Sequence, residues 1–449
     1  MSSEVELAMF DQSAAAIRLA TNYELRGFVT NVTGVVIEAT GPFVSIGSTV
    51  TMESGRSSVA AQVVGFKKDK ILLMPYGEIQ GIDQGAIVRA TSDTAGALVS
   101  EAMLGRVIDG MGEPVDGKPL PVDGEMVDLY RTPPNPITRK RIHECFDVGV
   151  RAINSMLTVG AGQRIGIMAG SGVGKSTLLG MIAKHSQSDI NVIALIGERG
   201  REVREFIERD LGEEGLKRSI VVVATGDQSP LLRIRAAFLA TSIAEHFRDA
   251  GKKVVLMLDS VTRFAMAQRE IGLAIGEPPS TRGYTPSVFS LLPKLLERAG
   301  TSSGEGSITG IYTVLVEGDD LNEPISDATR GILDGHIVLS RRLAGKGHFP
   351  AIEVLDSVSR VMSDIVPDEQ IKMAAEVRDI IATYRDTEDL ITIGAYKPGQ
   401  NPKVDRAVQK IDAVNALLKQ ASKQKQTIAE SWQAIKAVLA TAEVAPKKR

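Results

Sequence analysis

The stretch "GIMAGSGVGKSTLLGMIAKH", from Gly166 to His185, constrains the fold more than any other part of the sequence. Three glycines, at positions 170, 172 and 174, stand between an apolar run and a helix-like run. Glycine is costly inside regular structure, so this density indicates a requirement of the backbone. A glycine turn can aim successive backbone N–H groups at one point, and the helix that follows adds its positive end. The stretch therefore predicts an anion-binding turn.

The spacing matches the phosphate-loop pattern G-x-x-x-x-G-K-[ST], except that Ala169 takes the first position. The pattern predicts a strand over Arg164–Met168 and a helix from Ser176 onward. Lys175 is expected to reach the β- and γ-phosphates of a nucleotide, and the Ser176 hydroxyl to bind Mg²⁺. The predicted nucleotide-contacting residues are Ala169, Gly170, Ser171, Gly172, Val173, Gly174, Lys175, Ser176 and Thr177.

Composition places the chain among ordinary globular proteins. Its 449 residues favour two or three domains, and 43% are hydrophobic and 24% charged. No apolar run approaches the roughly 20 residues that cross a bilayer, and the N-terminus lacks a basic-then-apolar signal pattern. The lone Cys145 excludes an internal disulfide framework and a cysteine-rich metal site. These features predict a soluble cytoplasmic protein.

The N-terminal quarter contains two different patterns. Apolar residues at helical spacing within residues 5–20 predict a short helix, which either packs on its own domain or binds a partner. Over residues 25–92, short β-branched runs separated by turns predict a small barrel. Aromatic residues are sparse there, so we interpret the barrel as structural and not as a nucleic-acid-binding module. The apolar positions of the helix are Leu7, Phe10, Ala14 and Ile17.

The rest of the chain predicts a nucleotide domain followed by helices. From about residue 98 to 350, strand-like runs alternate with helical patterns, which favours a mostly parallel sheet covered by helices. After Pro350 the pattern is helical to the end. One predicted apolar face there consists of Val404, Ala407, Val408, Ile411, Val414, Leu417 and Leu418.

The last segment is more basic than the rest. From Pro402 to Arg449 there are ten Lys and Arg against four Asp and Glu, a net charge of +6 in a chain whose net charge is −3. The excess is either a solvated helical face or a docking surface for an acidic partner or anionic lipid.

Two strand ends carry residues suited to phosphate chemistry. The apolar run "NVIALIG" is followed by Glu198 and Arg199, and "KVVLMLD" closes on Asp259. Residues just past the carboxyl ends of parallel strands line the ligand crevice. A glutamate there can polarise a water, an arginine can neutralise developing charge, and an aspartate can hold the magnesium shell. The alternatives are a surface salt-bridge cluster for the first two residues and a helix cap for Asp259.

Two later residues are weaker candidates. Arg360, in "DSVSRV", follows a strand-like segment, and a guanidinium inserted by a neighbouring subunit would stabilise the charge of a phosphoryl transition state. Phe349, in "GHFPAIEV", is either an adenine platform or an ordinary core residue.

Five blocks together resemble one known family. They are "LGRVIDGMGEPVDG", "AGSGVGKST", "LIGERGREVREFIERDLGEEGL", "DSVTRFAMAQREIGLAIGEPPSTRGYTPSVFSLLPKLLERAG" and "LVEGDDLNEPISDATRGILDGHIVLSR". The chain resembles the α/β-type hexameric ATPases related to rotary ATP synthase, and within them the ATPase of type III protein export. The likeness extends from residue 25 to about 440. The flagellar form is favoured over the virulence injectisome form.

The resemblance implies roles for single residues. Lys175 and Ser176 would bind phosphate and magnesium, Glu198 resembles the catalytic glutamate, and Arg199 its γ-phosphate-binding neighbour. Asp259 would hold the magnesium shell, and Arg360 resembles the arginine finger supplied to the adjacent subunit. Adenine would rest on Phe349, with Tyr396 in "GAYKPG" as a second wall. The implied ligands are ATP and Mg²⁺.

The resemblance also implies an architecture and partners. It implies a partner-binding segment over residues 1–24, a β-barrel over 25–95, a RecA-like nucleotide domain over 96–350 and a helical domain over 351–449. The chain would form a homohexameric ring, peripheral to the inner membrane at the export apparatus. Expected partners are a negative regulator at the N-terminus, a stalk protein and the export gate, and substrate–chaperone complexes.

Three rival functions remain as alternatives. A rotary ATP synthase catalytic subunit would carry an acidic D-E-L-S-E-type loop in its helical domain, and no such loop occurs here. An RNA-translocating hexamer would need stacking aromatics and a more basic leading domain. A purely regulatory nucleotide-binding subunit would lack Glu198. Each of these is less compatible with the sequence than an export ATPase.

Overall fold

The computed structural model describes residues 26–55, 57–92, 96–120 and 123–440. The predicted helix within residues 1–24 and the end of the basic segment, residues 441–449, lie outside these described residues. The chain divides into two compact units, one up to residue 95 and one from Gly96 onward. Among the described residues, the helices are all too short or too polar to cross a membrane.

The first unit is a closed six-stranded antiparallel barrel, as the sequence predicts. Side chains alternate between the interior and the surface along β1, because successive residues of a strand point to opposite faces. Val29, Val50 and Leu73 are among the residues that fill the interior. The strands close in the order β1-β2-β5-β4-β3-β6, and they are β1 Arg26–Thr33, β2 Val36–Ala39, β3 Thr49–Ser54, β4 Ser57–Lys67, β5 Lys70–Pro75 and β6 Ile87–Ser92.

The second unit is built on a nine-stranded sheet, in the order β17-β16-β10-β15-β13-β11-β12-β8, with β14 added beside β15. All strands from β16 to β8 are parallel. Their residues are buried almost throughout, as expected of a parallel sheet with both faces covered. A separate two-stranded antiparallel sheet consists of β7 and β9. The strands are β7 Gly96–Val99, β8 Val107–Asp109, β9 Glu125–Asp128, β10 Arg164–Ala169, β11 Ile190–Ile196, β12 Ser219–Ala224, β13 Lys253–Asp259, β14 Gly300–Thr301, β15 Ser307–Leu315, β16 Gly335–Leu339 and β17 Val358–Ser359.

Helices cover this sheet and then continue alone to the end of the described chain. A π-helical turn, Phe206–Leu211, lies between α3 and α4. Short 3₁₀ turns occur at Glu101–Met103, Thr281–Gly283 and Glu317–Asp319. The helices are α1 Arg151–Met156, α2 Lys175–His185, α3 Gly200–Glu205, α4 Gly212–Lys217, α5 Pro230–Asp249, α6 Val261–Ala274, α7 Pro286–Leu296, α8 Pro324–Ile332, α9 Arg341–Gly345, α10 Met362–Ile365, α11 Asp368–Thr392, α12 Pro402–Leu418 and α13 Ile428–Ala440.

The terminal helices belong to the same core as the nucleotide domain. Leu417, Trp432 and Ile435 join the hydrophobic cluster that also contains residues of β10 and α2. Six of the seven apolar positions predicted for α12 are buried. The prediction is wrong for Val408, which is 38% exposed. The buried residues that follow Val404 are Ala407 and Ile411, three and seven positions later. Val408, four positions after Val404, therefore lies beside the buried face and not within it.

Candidate active site

The phosphate loop joins β10 to α2, as the sequence predicts. Its two glycines at positions 172 and 174 have φ angles of 77° and 90°. These are left-handed conformations that residues with a Cβ rarely adopt, which explains why glycine occupies both positions. Gly174 is the N-cap of α2, so the helix begins at Lys175 with its free N–H groups facing the loop. The loop therefore has the backbone of an anion-binding turn.

A cavity of about 450 Å³ opens above this loop. We call it the phosphate pocket. It lies at the carboxyl ends of β10, β11 and β13, where a parallel sheet binds its ligands. Residues from three strand ends and from the helix after β11 surround it. Its lining consists of Gly170, Ser171, Gly172, Gly174, Lys175, Ser176, Thr177, Leu195, Glu198, Arg199, Glu202, Val203, Phe206, Arg209, Asp259, Arg263 and Leu315.

Lys175 lies between two carboxylates at the centre of the phosphate pocket. Its ammonium contacts Asp259 closely and lies 3.3 Å from Oε1 of Glu198. Burial acts to lower the pKa of Lys175, but the charges of Asp259 and Glu198 outweigh it and raise this pKa above its ordinary value. Lys175 is therefore charged. Its ammonium lies where it can exchange its carboxylate partners for the phosphate oxygens of a ligand.

The two carboxylates differ in their surroundings. Asp259 is 3% exposed at the end of β13 and accepts a hydrogen bond of 2.7 Å from the Thr313 hydroxyl. Burial raises the pKa of Glu198 to about 7, against the lowering effect of Lys175, and Asp259 and Glu202 add to the rise. A carboxyl whose pKa is near neutrality can accept a proton at physiological pH, which suits a general base.

The residues present also fit a magnesium ion. Mg²⁺ prefers oxygen ligands, retains several waters, and is usually held by one or two protein oxygens together with substrate phosphates. The phosphate pocket offers the Ser176 hydroxyl and the Asp259 carboxylate. Its carboxylates already surround one cation, the Lys175 ammonium. The described residues form no cluster of three His, Cys, Asp or Glu side chains, so phosphates and waters would complete the shell.

Cationic side chains surround the carboxylates, and the sequence analysis did not predict two of them, Arg263 and Arg209. Arg199 lines the phosphate pocket with its side chain 83% exposed and 3.7 Å from Glu202. Arg263, which was not predicted, also lines it, and its Nε has no acceptor among the described residues. The available signal was its position four residues after Asp259, which places it in the first turn of α6.

The two aromatic candidates occupy different places. Phe349 is 46% exposed, and its Cδ1 would lie 3.5 Å from a Cβ built on Gly174. The ring is thus exposed beside the phosphate loop, although it is not part of the lining of the phosphate pocket. Tyr396 lies in the connection between α11 and α12, where its hydroxyl donates to Asp405 at 2.9 Å. It is not part of the lining of the phosphate pocket.

Arg360 lies outside the phosphate pocket of its own chain. It follows β17, and its guanidinium donates to the backbone oxygens of Leu333 at 3.3 Å and Arg330 at 3.1 Å. The residue is exposed. An arginine held at the surface in this way is available to another molecule and not to its own phosphate loop.

Three family models match successive parts of the chain. The β-barrel domain of the ATP synthase alpha/beta family matches residues 29–92, and the nucleotide-binding domain of the same family matches residues 149–359. Residues 366–437 match the C-terminal domain of the T3SS EscN ATPase.

Individual relatives are similar over nearly their whole length. The flagellum-specific ATP synthase of Bacillus subtilis is 55% identical over 93% of this chain and 96% of its own. The type 3 secretion system ATPase of Xanthomonas euvesicatoria is 48% identical over 89% of this chain and 90% of its own. The assembled ATPase EscN of enteropathogenic E. coli superimposes with a TM-score of 0.87, at 46% identity, over 92% of this chain and 100% of that chain. EscN has also been solved with its central stalk EscO, with a TM-score of 0.86, 46% identity and the same coverage of both chains.

Proposed function

The chain belongs to the ATP synthase alpha/beta family, and from that membership we propose that it hydrolyses ATP to energise type III protein export, with flagellar assembly as the system it serves. The observation that carries the hydrolytic part is the Lys175 ammonium between Glu198 and Asp259 at the phosphate loop. The match of residues 366–437 to an export ATPase domain supports the export part.

The residues of the phosphate pocket have separate roles in this reaction. The loop N–H groups and Lys175 bind the phosphates, while Ser176 and Asp259 hold Mg²⁺, which neutralises charge on the phosphate oxygens. Glu198 takes a proton from the attacking water. Arg199 and Arg263 face the pocket and stabilise the charge that spreads over the phosphoryl oxygens. The adenine rests on Phe349.

Assembly completes the site. We infer a homohexameric ring, in which Arg360 of one subunit reaches the phosphate pocket of the next. Its exposure and its absence from the lining of its own phosphate pocket support this role. The assembled state of EscN, a close structural match, supports the ring.

The trans role of Arg360 can be tested by mixing inactive chains. Arg360→Ala chains mixed with Lys175→Ala chains should recover part of the wild-type ATPase activity, because some interfaces combine an intact loop with an intact arginine. Each variant alone, at the same total concentration, is the control. Mixed rings without any recovered activity, confirmed by differently tagged chains, would contradict the role of Arg360 in trans.

The export system can be tested by complementation. Expression of the chain in Bacillus subtilis that lacks its flagellum-specific ATP synthase should restore swimming, and Lys175→Ala expressed at the same level should not. The alternative is an injectisome ATPase, and the 48% identity to the Xanthomonas enzyme supports it. Restored secretion in a Xanthomonas strain that lacks its own ATPase, without restored swimming in B. subtilis, would support that alternative.

We also propose partners for the two ends of the chain. The solved complex of EscN with its stalk EscO supports a stalk protein as one partner. A negative regulator would bind residues 1–24, and substrate–chaperone complexes would bind the basic helical end. The export gate at the inner membrane would be the site of action, with the chain in the cytoplasm.

Charge reversal tests the chaperone surface without removing core residues. Lys423 and Lys425 are exposed in the connection between α12 and α13. Their replacement by Glu should weaken the binding of an acidic chaperone severalfold and reduce its dependence on salt, which screens charges beyond about 8–10 Å. An equal substitution at Lys68 in the barrel is the control. Chaperone affinity that is unchanged by both the substitution and added salt would contradict this docking surface.

A further inference from the structure

The helix that follows Glu198 is interrupted near the phosphate pocket. The chain forms α3 to Glu205, then one π-helical turn over Phe206–Leu211, and then α4 from Gly212. Such turns are rare, and they occur frequently at functional sites because they change which side chains face a given direction. Within this turn, Phe206 and Arg209 line the phosphate pocket.

The π-helical turn touches the helix of the phosphate loop directly. A Cβ built on Gly180 of α2 would lie 2.5 Å from the backbone oxygen of Asp210. Only a glycine permits this approach, and the side chain of Asp210 is consequently 93% buried against α2. The turn and the first part of α2 are therefore fixed relative to each other.

The Asp210 carboxylate connects two residues of the phosphate pocket. One of its oxygens faces the Thr177 hydroxyl at 3.5 Å, and the other accepts from the Arg209 guanidinium at 3.2 Å. The Arg209 side chain is 69% exposed, and the described residues offer it no second ion pair. Asp210 thus orients a cation that borders the pocket and leaves most of its N–H groups free for a ligand.

We propose that Arg209 contacts the phosphate chain of the bound nucleotide and that Asp210 is the positioning residue that holds both Arg209 and the Thr177 hydroxyl for this contact. This inference rests on the proposed function, since it requires a nucleotide in the phosphate pocket. The sequence pattern of the phosphate loop includes neither Arg209 nor Asp210.

The position of Arg209 specifies which part of the nucleotide it contacts. Arg209 lies in the π-helical turn that packs against α2, whereas Arg199 directly follows Glu198 past the end of β11, so we place Arg209 away from the γ-phosphate end that Glu198 marks. Its closest pocket neighbour through Asp210 is Thr177, past the lysine of the loop. The contact is therefore with phosphates that ATP and ADP share. Such a contact is equal in the ground state and the transition state, and it affects KM without affecting kcat.

The test compares Arg209→Gln with Arg204→Gln. Arg204 is the matched control, because it is exposed on α3, forms an ion pair of 2.7 Å with Glu208 and does not line the phosphate pocket. Arg209→Gln should raise the KM for ATP and the Kd for ADP by the same factor, about 3- to 10-fold, with kcat within about twofold of wild type. Arg204→Gln should leave both constants unchanged.

Two results would overturn the proposal. Equal constants for Arg209→Gln and Arg204→Gln would make Arg209 an ordinary solvated arginine. A fall in kcat with an unchanged Kd for ADP would assign Arg209 to the γ-phosphate instead. Absence of ATPase activity in the wild-type chain would refute the proposed function itself. This outcome differs from the two results above, which concern only the Arg209 variant.

Asp210 variants separate positioning from folding. Asp210→Asn retains an acceptor for Thr177 and removes the charge that holds Arg209, so it should reproduce the KM shift of Arg209→Gln. The double variant should show no further shift, because the two residues act as a unit. An unfolding temperature equal to wild type without nucleotide, but lower than wild type with ADP, supports the role. Full additivity of the two KM shifts would overturn the positioning role of Asp210. If Asp210→Asn does not fold, the Arg209→Gln variant still tests the proposal, because Arg209 is exposed and its replacement does not disturb the core.

Discussion

The nucleotide domain contains two groups of buried charges that are organised in opposite ways. In the phosphate pocket, one ammonium, Lys175, is shared by two carboxylates, and Arg263 has an Nε without an acceptor among the described residues. Between α5 and the end of α7, Arg298 and Glu245 are 0% and 1% exposed and form a pair with two contacts, of 3.0 Å and 2.6 Å.

The Arg298 pair has further partners that complete its hydrogen bonding. The guanidinium also donates to the Ser242 hydroxyl at 2.8 Å and to the backbone oxygen of Leu129 at 2.5 Å. A buried ion pair stabilises a fold only where such additional bonds offset its desolvation. In the phosphate pocket the Nε of Arg263 has no such partner among the described residues, and under the proposed function a triphosphate and Mg²⁺ would complete the set of charges. The comparison therefore separates charges that fix the fold from charges that await a ligand.

The largest expected effect is on the pair that fixes the fold. Arg298→Met should lower the free energy of unfolding by about 3–5 kcal/mol, because it leaves Glu245 buried and charged without its main partner. Chemical denaturation measures this change. The double variant Arg298→Met/Glu245→Leu should be more stable than the single variant. A single variant as stable as wild type would remove the distinction between the two groups of charges.

The next largest effect is expected on turnover, when a charge of the phosphate pocket is removed. Glu198→Gln retains the size of the side chain and removes the base, so kcat should fall by about 10²-fold or more while ATP affinity persists. Its unfolding temperature should not fall, because the raised pKa of Glu198 means that burial opposes its charge more than the Lys175 ammonium favours it. Single-turnover kinetics and an ATP titration measure the two quantities. Near wild-type turnover would contradict the assignment of Glu198.

A smaller effect is expected at the rim of the phosphate pocket. Phe349→Ala should weaken ATP binding by about 1 kcal/mol, roughly fivefold, because an aromatic face for the base is lost. Phe349→Trp should retain the affinity. Since Phe349 is 46% exposed, the alanine variant should remain nearly as stable as wild type. An unchanged Kd for ATP would make Phe349 an ordinary surface residue.

The smallest effect concerns a carboxyl whose pKa shifts in the opposite direction to that of Glu198. Arg106 hydrogen-bonds Asp116 at 2.7 Å and holds the pKa of this carboxyl well below its usual range. The pair therefore contributes its full stability above about pH 4, the unfolded-state value, and loses it as the pH falls through the lowered pKa. Unfolding of wild type and Asp116→Asn should differ by about 0.5 kcal/mol at pH 7 and converge in strong acid. A constant difference would contradict the ion pair as its source.

The sequence predicts much of the phosphate pocket because its signals are local. The loop from Ala169 to Thr177 is contiguous, and Asp259 directly ends an apolar run. The barrel and the parallel sheet are likewise predicted by the period of short apolar runs, since each strand carries its own pattern. The role of every single residue stays a prediction until the variants are measured.

Other features depend on contacts between distant segments, which no local pattern encodes. Arg298 meets Glu245 across 53 positions of sequence and the Leu129 oxygen across 169. The exposure of Val408 depends on how α12 is turned against its neighbours. The π-helical turn at Phe206 is likewise not predicted by the local sequence, and it packs Asp210 closely against Gly180 on another helix.

The order of the strands has a consequence for how the chain acquires activity during its synthesis. The strand before the phosphate loop, β10, does not pair with β11, the next strand of the chain. It pairs with β15 and β16. Arg164 therefore cannot pair before Gly310 has been synthesised, and Gly166 cannot pair on its other side before His336 has been synthesised. Pairings between such distant segments form late, because long loops must close first.

On the ribosome, the phosphate loop therefore emerges long before the strands that hold it in place. Until β15, residues 307–315, has been made, β10 has no neighbouring strand, and its second neighbour, β16, follows only at residues 335–339, while β11, β12 and β13 can already pair with one another. The glycine turn has no rigid base during that interval. We therefore expect that a chain ending before β16 does not hydrolyse ATP, and that activity begins only when the nucleotide domain is nearly complete.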